Sequence, residues 1–555
     1  MRQYIGARYV TKIYENSLDP SSAEWEASVN YEPLTMVTYN NGSYLSKKEV
    51  PAAIGDPASN PTYWVQTGFY NGQIIYLQSE IDDINDAIGD INNLETLDKT
   101  KIVNAINEVN KKIGTPEEYG AKGDGVTDDT AAINTCLANC GYVLFKSGSI
   151  YMIDPDVSLN PISDQTLDLN GATLKAIPNS LDRYEIINID GISNVIVKNG
   201  IIVGDRDEHT GATGEWGYGI SIDTASSDIL IDNVAISECW GDGICIQHGS
   251  ANITVRSCHL DHNSRNGITV GESTNVIIDG NIIERTDRTN PKAGIDVEPD
   301  DGETAENVII SHNIIKNNGV YGIHSYGGTN YVRVKNLMIT DNEIINDATT
   351  KQGIYITYVD KPVIQNNSIT GTHSVHITGY ALKYAKITGN YCAGTANSVS
   401  LYLLESTHCY ILNNVLRGIT LPNGPAIKFV GVLHSEIKNN VLDECTVTGA
   451  GLIYLMTDGG QRSEHNMFTN NSIHYCTASF CFSFAGESNS NRMEFNKIIG
   501  TFTYTFYRES STPSYNSIYF NDVKSGSSGI TGYGGDATSY GGALISNVID
   551  DSFVA

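Results

Sequence analysis

The chain is poor in charge, and in cations above all. Only 18% of its 555 residues are Asp, Glu, Lys or Arg, and 35 basic residues face 64 acidic ones, a formal charge of −29. No Lys/Arg stripe is present. Phosphate neutralisation needs clustered cations, so nucleic acid is excluded as a partner. The same imbalance disfavours an anionic membrane surface, and no window offers the 18 or so apolar residues of a spanning helix. The opening segment MRQYIGARYVTKIYENSLDP has no uninterrupted apolar core, so the expectation is synthesis in a cytoplasm without export by the general secretory route. Ten Cys without a CxxC are too sparse for a disulfide scaffold. They read as buried free thiols, Cys136 and Cys140 being the closest pair. A Gly-Lys-Ser/Thr phosphate loop, an HExxH helix and a GxSxG elbow are all missing.

The chain is instead rich in Gly (53), Tyr (32), Asn, Ser and Thr, arranged in zones. Residues 1–72 are aromatic and turn-rich, broken by Pro51, Pro57 and Pro61, and read as a small N-terminal β module. Over 73–115, Leu77, Ile81, Ile84, Ile88 and Ile91 form an a/d seam. Ile at both seam positions favours a three-stranded coiled coil, against the alternative of a single amphipathic helix lying on a domain. From 116 to 500 an internal repeat dominates: NVIVKNGII, DILIDNVAI, NVIIDGNII, NVIISHNII, NLMITDNEI and YAKITGNYC are among its copies. Aligned positions such as Asn342, Asn367, Asn390 and Asn414 recur at a period in the low-to-mid twenties, with longer intervals marking inserted loops. Twofold alternation at that period excludes helical repeats of roughly 33–47 residues. It predicts an all-β, parallel β-helix with Ile and Val filling the bore, and Asn taking the left-handed corner between strands. The Gly/Ser/Tyr-rich stretch 501–555 is expected to cap the solenoid.

The segment EYGAKGDGVTDDTAAINTCL (118–137) resembles the opening of the pectate-lyase-like right-handed β-helices common among bacteriophage tailspikes. A helix beginning near Asp129, capped by Thr127 or Asp128, would plug the bore, with Asp124, Asp128 and Asp129 as turn and cap residues. RNGITVGESTNVIIDGNIIERTDRTNPKAGIDVEP (265–299) is similar to coils of preneck-appendage proteins, and YEPLTMVTYNNGSYLSKKEVP to N-terminal modules of prophage tail proteins. The resemblance implies a homotrimeric virion spike, attached to tail or neck proteins through its N-terminal module. By the same token it would bind, and often cleave, a cell-surface polysaccharide or teichoic acid.

A second strand in each coil opens with Gly: GISID, GICIQ, GITVG, GIDVE, GIHSY, GIYIT. Alternation sends the residues two and four after that Gly outward. One column is Ser221, Cys245, Thr269, Asp296, His324 and Tyr355, with His376 as its extension; the other is Asp223, Gln247, Gly271, Glu298, Tyr326 and Thr357. Asp296 and Glu298 would place their carboxyls about 5–9.5 Å apart, the spacing of a glycosidase acid and its base or nucleophile. His324 and Asp242 join them as candidate catalytic groups. Arg265, Asp223, Gln247, Trp240, Tyr326 and Tyr355 are candidate substrate contacts, with Trp216 and Tyr321 as further stacking rings. Two alternatives stand beside this: a solvated acidic face on a non-catalytic adhesin, and a Ca²⁺ site built from Asp296, Glu298, Asp300 and Asp301 that would serve a lyase. Otherwise no cofactor is expected. Polygalacturonase signatures are absent in order, so pectin is not the favoured substrate.

Overall fold

A computed structural model describes residues 12–15, 22–69 and 113–525, apart from short stretches at 213, 329–332, 349–350, 423, 449, 458–459, 487, 489 and 509–515, plus strand pieces at 533–534, 544–545 and 548–550. The chain divides into two compact units, Met1–Asn110 and Lys111–Ala555. The helical seam expected over 73–115 lies outside the described residues except at its end. There the expectation fails, because Ile113–Gly114 is a strand paired with Tyr142 and Val143. Gly114 is needed at that rung: a Cβ would sit 2.2 Å from Cys140 Sγ.

In the first unit, Thr35–Tyr39 and Gly42–Ser46 form an antiparallel hairpin, flanked by Lys12–Ile13 and Trp64–Phe69. Asn40 and Asn41 turn the hairpin with φ of 43° and 61°, the paired left-handed conformation of a tight two-residue loop. Tyr31, Val37, Val50 and Trp64 make its small core.

The second unit is a parallel β-solenoid. Ala293–Val297, Ala305–Ser311 and Ile314–Lys316, for example, pair in register with Asn266–Val270, Ser273–Asp279 and Ile282–Glu284 of the coil before. In-register stacking puts like residues on like: Ile220, Ile244, Ile268, Ile295, Ile323, Ile354 and Ile377 form one continuous line in the bore. Each such side chain contributes roughly 1.5–3 kcal/mol by leaving water.

The recurring Asn does a different job from the one its propensity suggests. Asn281, Asn313, Asn342, Asn367, Asn390 and Asn414 are buried, and each donates its backbone N–H and Nδ2 to Oδ1 of the next Asn at 2.9–3.0 Å. The left-handed corner falls one residue earlier, at Gly280, His312, Asp341, Asn366, Gly389 and Asn413. The buried amide satisfies backbone groups that the turn would otherwise strand inside the wall.

A helix, Thr130–Asn139, covers the first rungs with Ile133, Cys136 and Leu137 in the core. It starts one residue after the expected Asp129. Gln165 Nε2 donates to the carbonyls of Leu137 and Cys140 at its C-terminal end, at 2.7 and 2.6 Å. Asp124 and Asp129 accept backbone N–H groups of the preceding loop, Asp128 that of Thr130, and Thr127 bonds Asp124 and caps nothing. All ten Cys are free and buried. The rungs do not stop at 500: Lys497–Arg508, Ser517–Tyr519 and Asp522–Ser525 continue the stack, and Leu544–Ile545 and Val548–Asp550 pair on top of them. The described part of 501–555 is therefore further solenoid; the rest of that stretch lies outside the described residues. No described helix is long and apolar enough to cross a membrane.

Candidate active site

Register aligns Ser221, Cys245, Thr269, Asp296, His324 and Tyr355 in one column on the outer face, while Ile295 and Val297 on either side of Asp296 point into the bore. The column continues to Thr378 and not to His376, which lies opposite Gly353, fully buried, with Nδ1 3.0 Å from Ser400 Oγ.

At the centre of the column, outward does not mean exposed. Asp296 has no accessible surface. His324 Nδ1–H donates to its Oδ1 at 2.7 Å, and Asn266 Nδ2 to its Oδ2 at 3.2 Å. The same Asn266 amide donates to Thr269 Oγ1 at 2.9 Å, Thr269 donates to Asp242 Oδ2 at 2.8 Å, and Arg265 NH1 reaches that oxygen at 2.9 Å. One polar chain thus runs Arg265–Asp242–Thr269–Asn266–Asp296–His324. Its far end is roofed by rings, with His324 stacked 4.6 Å from Tyr321 and 5.7 Å from Tyr355.

Glu298 reaches the open side. Ligand atoms of Asp296, Glu298 and His324 lie within 4.8 Å of one another. Burial, then the charge of Asp296 and a shared hydrogen bond with it, pushes the Glu298 carboxyl up to about 7. Burial alone would lower His324, but the Asp296 carboxylate more than offsets it and the imidazole is raised. Burial likewise lifts Asp242 to about 6 against the pull of Arg265.

These positions correct the expected pair. Asp296 and Glu298 are not two exposed carboxyls a substrate-width apart. The coils above and below close over Asp296, so it holds His324 and Glu298 and does not meet solvent. Asp242 is equally enclosed and acts on Arg265.

Beside Glu298 lies a cavity of about 270 Å³, bordered also by Glu215, Trp216, Arg265, Asp300 and Glu303. Gln247 lines it and donates to Asp223 Oδ2 at 2.9 Å; His248 Nδ1, 2.6 Å from Asp223 Oδ1, helps hold that carboxyl below its usual range. Asp223 therefore stands behind Gln247. Trp240 is no platform: it is 8% exposed, stacked on His209 at 4.3 Å with Arg288 above it. Trp216, 39% exposed, is the ring on the cavity. Tyr326 is not among the cavity's lining residues and meets Tyr358 edge-on at 6.3 Å, and Tyr355 covers His324. Of the four acids considered for Ca²⁺, Asp301 pairs with Arg333, and the group with metal-ligand spacing here is Asp296, Glu298 and His324. The second described group with metal-ligand spacing is His259, Asp261 and Glu284, where Arg285 already pairs Asp261.

Asn266, Glu215 and Glu303 escaped the sequence argument. A signal for the first existed one residue before each Gly: Tyr218, Asp242, Asn266, Ala293 and Tyr321 occupy that phase, and the small Ala293 donates its N–H to Asn266 Oδ1 at 3.0 Å. The two Glu sit in inserts with no repeat phase.

A model of the right-handed β-helix region matches residues 179–337 and 331–461, a little over half the chain. The chain belongs to the right-handed β-helix family. Among curated proteins, this β-helix chain is 30% identical over 335 residues to the uncharacterized protein YclG of Bacillus subtilis, which covers 51% of this chain and 55% of YclG. It is 34% identical over 148 residues to the SPbeta prophage-derived protein YorA of the same organism, covering 23% of this chain and 25% of YorA. The chain thus spans about half the length of the first relative and a quarter of the second. A capsule K30/K69-specific depolymerase of Klebsiella phage K5-2 is 23% identical over 276 residues, 43% of this chain and 34% of that protein. Solved structures with the fold include the A-module of the Azotobacter vinelandii mannuronan C-5 epimerase AlgE6, at 13% identity, 69% and 98% coverage and a TM-score of 0.46. Bacteriophage phi29 gene product 12 follows at 15%, 77% and 71%, and 0.44.

Proposed function

We propose that this β-helix is the spike of a phage or prophage that binds and depolymerises a bacterial surface glycan by hydrolysis. The phage depolymerase and the prophage protein among its relatives support the setting. A spike of this kind would work as a homotrimer on the virion, joined to tail or neck proteins through its N-terminal module. One observation carries the chemistry: Glu298, the half-buried member of the trio that opens on the cavity, holds its proton near neutrality. A carboxyl in that state is suited to protonate a leaving glycosidic oxygen. Asp296 keeps His324 beside it, and the positive imidazole steadies the carboxylate left after transfer. Asp300, Glu303 and Glu215 on the cavity wall are the carboxylates available to take a proton from an attacking water. Elimination from a uronate has less support, because the arginine at the cavity is already bound to Asp242.

The test is release of reducing ends from cell-wall and capsule preparations by wild type, Glu298→Gln and Asp296→Asn, with mass analysis of the soluble products. Loss of release with glycan binding intact in both variants is the expected result. Binding without release by wild type itself would make the protein an adhesin, and unsaturated products absorbing in the ultraviolet would make it a lyase.

A further inference from the structure

We infer that the sugar units seated in the cavity bear hydroxyl, acetamido or amino substituents, and neither carboxylate nor phosphate. The inference rests on the glycan-cleaving reading above and narrows its substrate class.

Every basic side chain described at the site already meets a carboxylate, Arg183 included, with Glu185 at 3.5 Å and Asp223 at 3.8 Å. Arg265 is held by Asp242 at 2.9 Å, His248 by Asp223 at 2.6 Å and His324 by Asp296 at 2.7 Å. The carboxylates that face the cavity are not matched in return. Asp300 and Glu303 have no ion pair among the described residues; Glu303 accepts only the Asp300 N–H, at 3.0 Å. Glu215 has Arg265 Nε no nearer than 4.0 Å. A uronate or phosphate seated there would meet the three carboxylates of Glu215, Asp300 and Glu303 and no unmatched cation among the described residues. Each such neighbour at contact distance weakens binding by roughly five-fold in water-like surroundings. A neutral or amino-bearing sugar meets no such repulsion, and the positive charge that develops on a ring during glycosidic cleavage is favoured by the same field.

The groups left for recognition suit neutral chemistry. Trp216 offers a ring, 39% exposed, to the apolar face of a pyranose. Arg265 Nε is buried without a hydrogen-bond partner at the cavity edge, where a hydroxyl or acetamido oxygen could accept from it. Ser221, 1% exposed, likewise has a partnerless hydroxyl in the column that continues to Cys245 and Thr269 on the cavity wall.

The test titrates the whole protein with three forms of one β-1,4-linked glucosamine oligomer, the free amine, the N-acetylated and the N-succinylated, at about 20 and about 500 mM salt. The expected order places the amine or acetyl form at least about ten-fold tighter than the succinyl form at low salt, the gap closing at high salt. In Glu215→Gln/Asp300→Asn/Glu303→Gln the low-salt gap should fall below about three-fold. Succinyl binding equal to or tighter than the others, or retention of none of the three, overturns the inference. Either result leaves the hydrolase reading to its own test, since product release by wild type and its loss in Glu298→Gln do not depend on substrate charge.

Discussion

Replacing Glu298 by Gln should make its coil harder to open at high pH while removing the proposed acid. The carboxyl is raised from 4.5 to about 7 in the folded protein. A raised acid favours the folded state while protonated, so its contribution is complete below pH 4.5, is lost as pH climbs through 7, and is constant above that. At about 1.4 kcal/mol per unit the loss is of the order of 3 kcal/mol, and water in the adjoining cavity brings it to about 2–3 kcal/mol. Gln has no proton to lose and can still donate its amide to Asp296. Because a solenoid opens coil by coil, the fitting assay is local: hydrogen exchange over 293–326, wild type against variant at equal pH, so that intrinsic exchange rates cancel. Between pH 4.5 and 8 the protection ratio should rise about 30- to 150-fold in favour of the variant. A ratio that stays flat, or moves toward wild type, would refute the claim that Glu298 is held neutral.

Product release, if it needs Glu298 protonated, should decline above about pH 7, which a pH–rate profile of the wild type reads; in Asp296→Asn, expected not to turn over, the pH transition in hydrogen exchange of the Glu298 coil should move to lower pH, because the charge behind part of the rise is gone. Asn390→Ala should destabilise its corner by about 3 kcal/mol, seen as lost exchange protection, because the N–H and Nδ2 of Asn367 and the carbonyl of Ile364 lose their partner. Burial lowers His373 from 6.5 to about 4, so the coil around it should lose about 3 kcal/mol of stability as pH falls from 6.5 to 4 and no more below; exchange in His373→Gln should show a shallower slope. Trp240→Ala should cost about 3–5 kcal/mol in stability, while Trp216→Ala should leave unfolding nearly unchanged and weaken glycan binding, the two separated by thermal denaturation and titration.

The solenoid was legible because its cause is repeated. One coil's alternation is a weak signal, but a line of Ile at one phase admits a single arrangement, with the bore on that side. The Asn were visible as a period and mistaken in role. Propensity points Asn to the left-handed corner, yet that conformation is available to Gly, His, Asp and Asn alike, as Gly280, His312 and Asp341 show. What only Asn supplies is an amide that accepts two donors from one rung and offers one to the next, a duty set by stacking, which a single strand cannot display. The trimeric neck and the end of the solenoid were read from local composition, and at Ile113–Gly114 and beyond 500 rung-on-rung pairing overrides that composition.

The site shows where periodicity stops informing. Alternation correctly assigns Asp296 and Glu298 to the outer face, since it fixes on which side of the wall a side chain leaves. It does not fix what the neighbouring coils lay on top. Asp296 follows Thr269 and precedes His324 in the column; His324 and Asn266 reach across the rungs to bond its carboxylate, and Thr269 holds the Asn266 amide in place, so the carboxylate is closed off. Two residues further along the strand, Glu298 follows Gly271, which has no side chain to cover it, and it therefore reaches the cavity. The two acids are thus separated in function by the residue stacked beneath each. Filling position 271 would test that reasoning directly. A Cβ there would stand 3.3 Å from Gln247 Cβ, so Gly271→Ala needs only a small adjustment in the wall, while a larger side chain such as Gln must rise into the cavity. Gly271→Gln should then leave exchange protection near wild type and depress glycan binding sharply, with Gly271→Ala between them. Equal binding by all three would mean that the open floor at Gly271 is not what gives Glu298 its access.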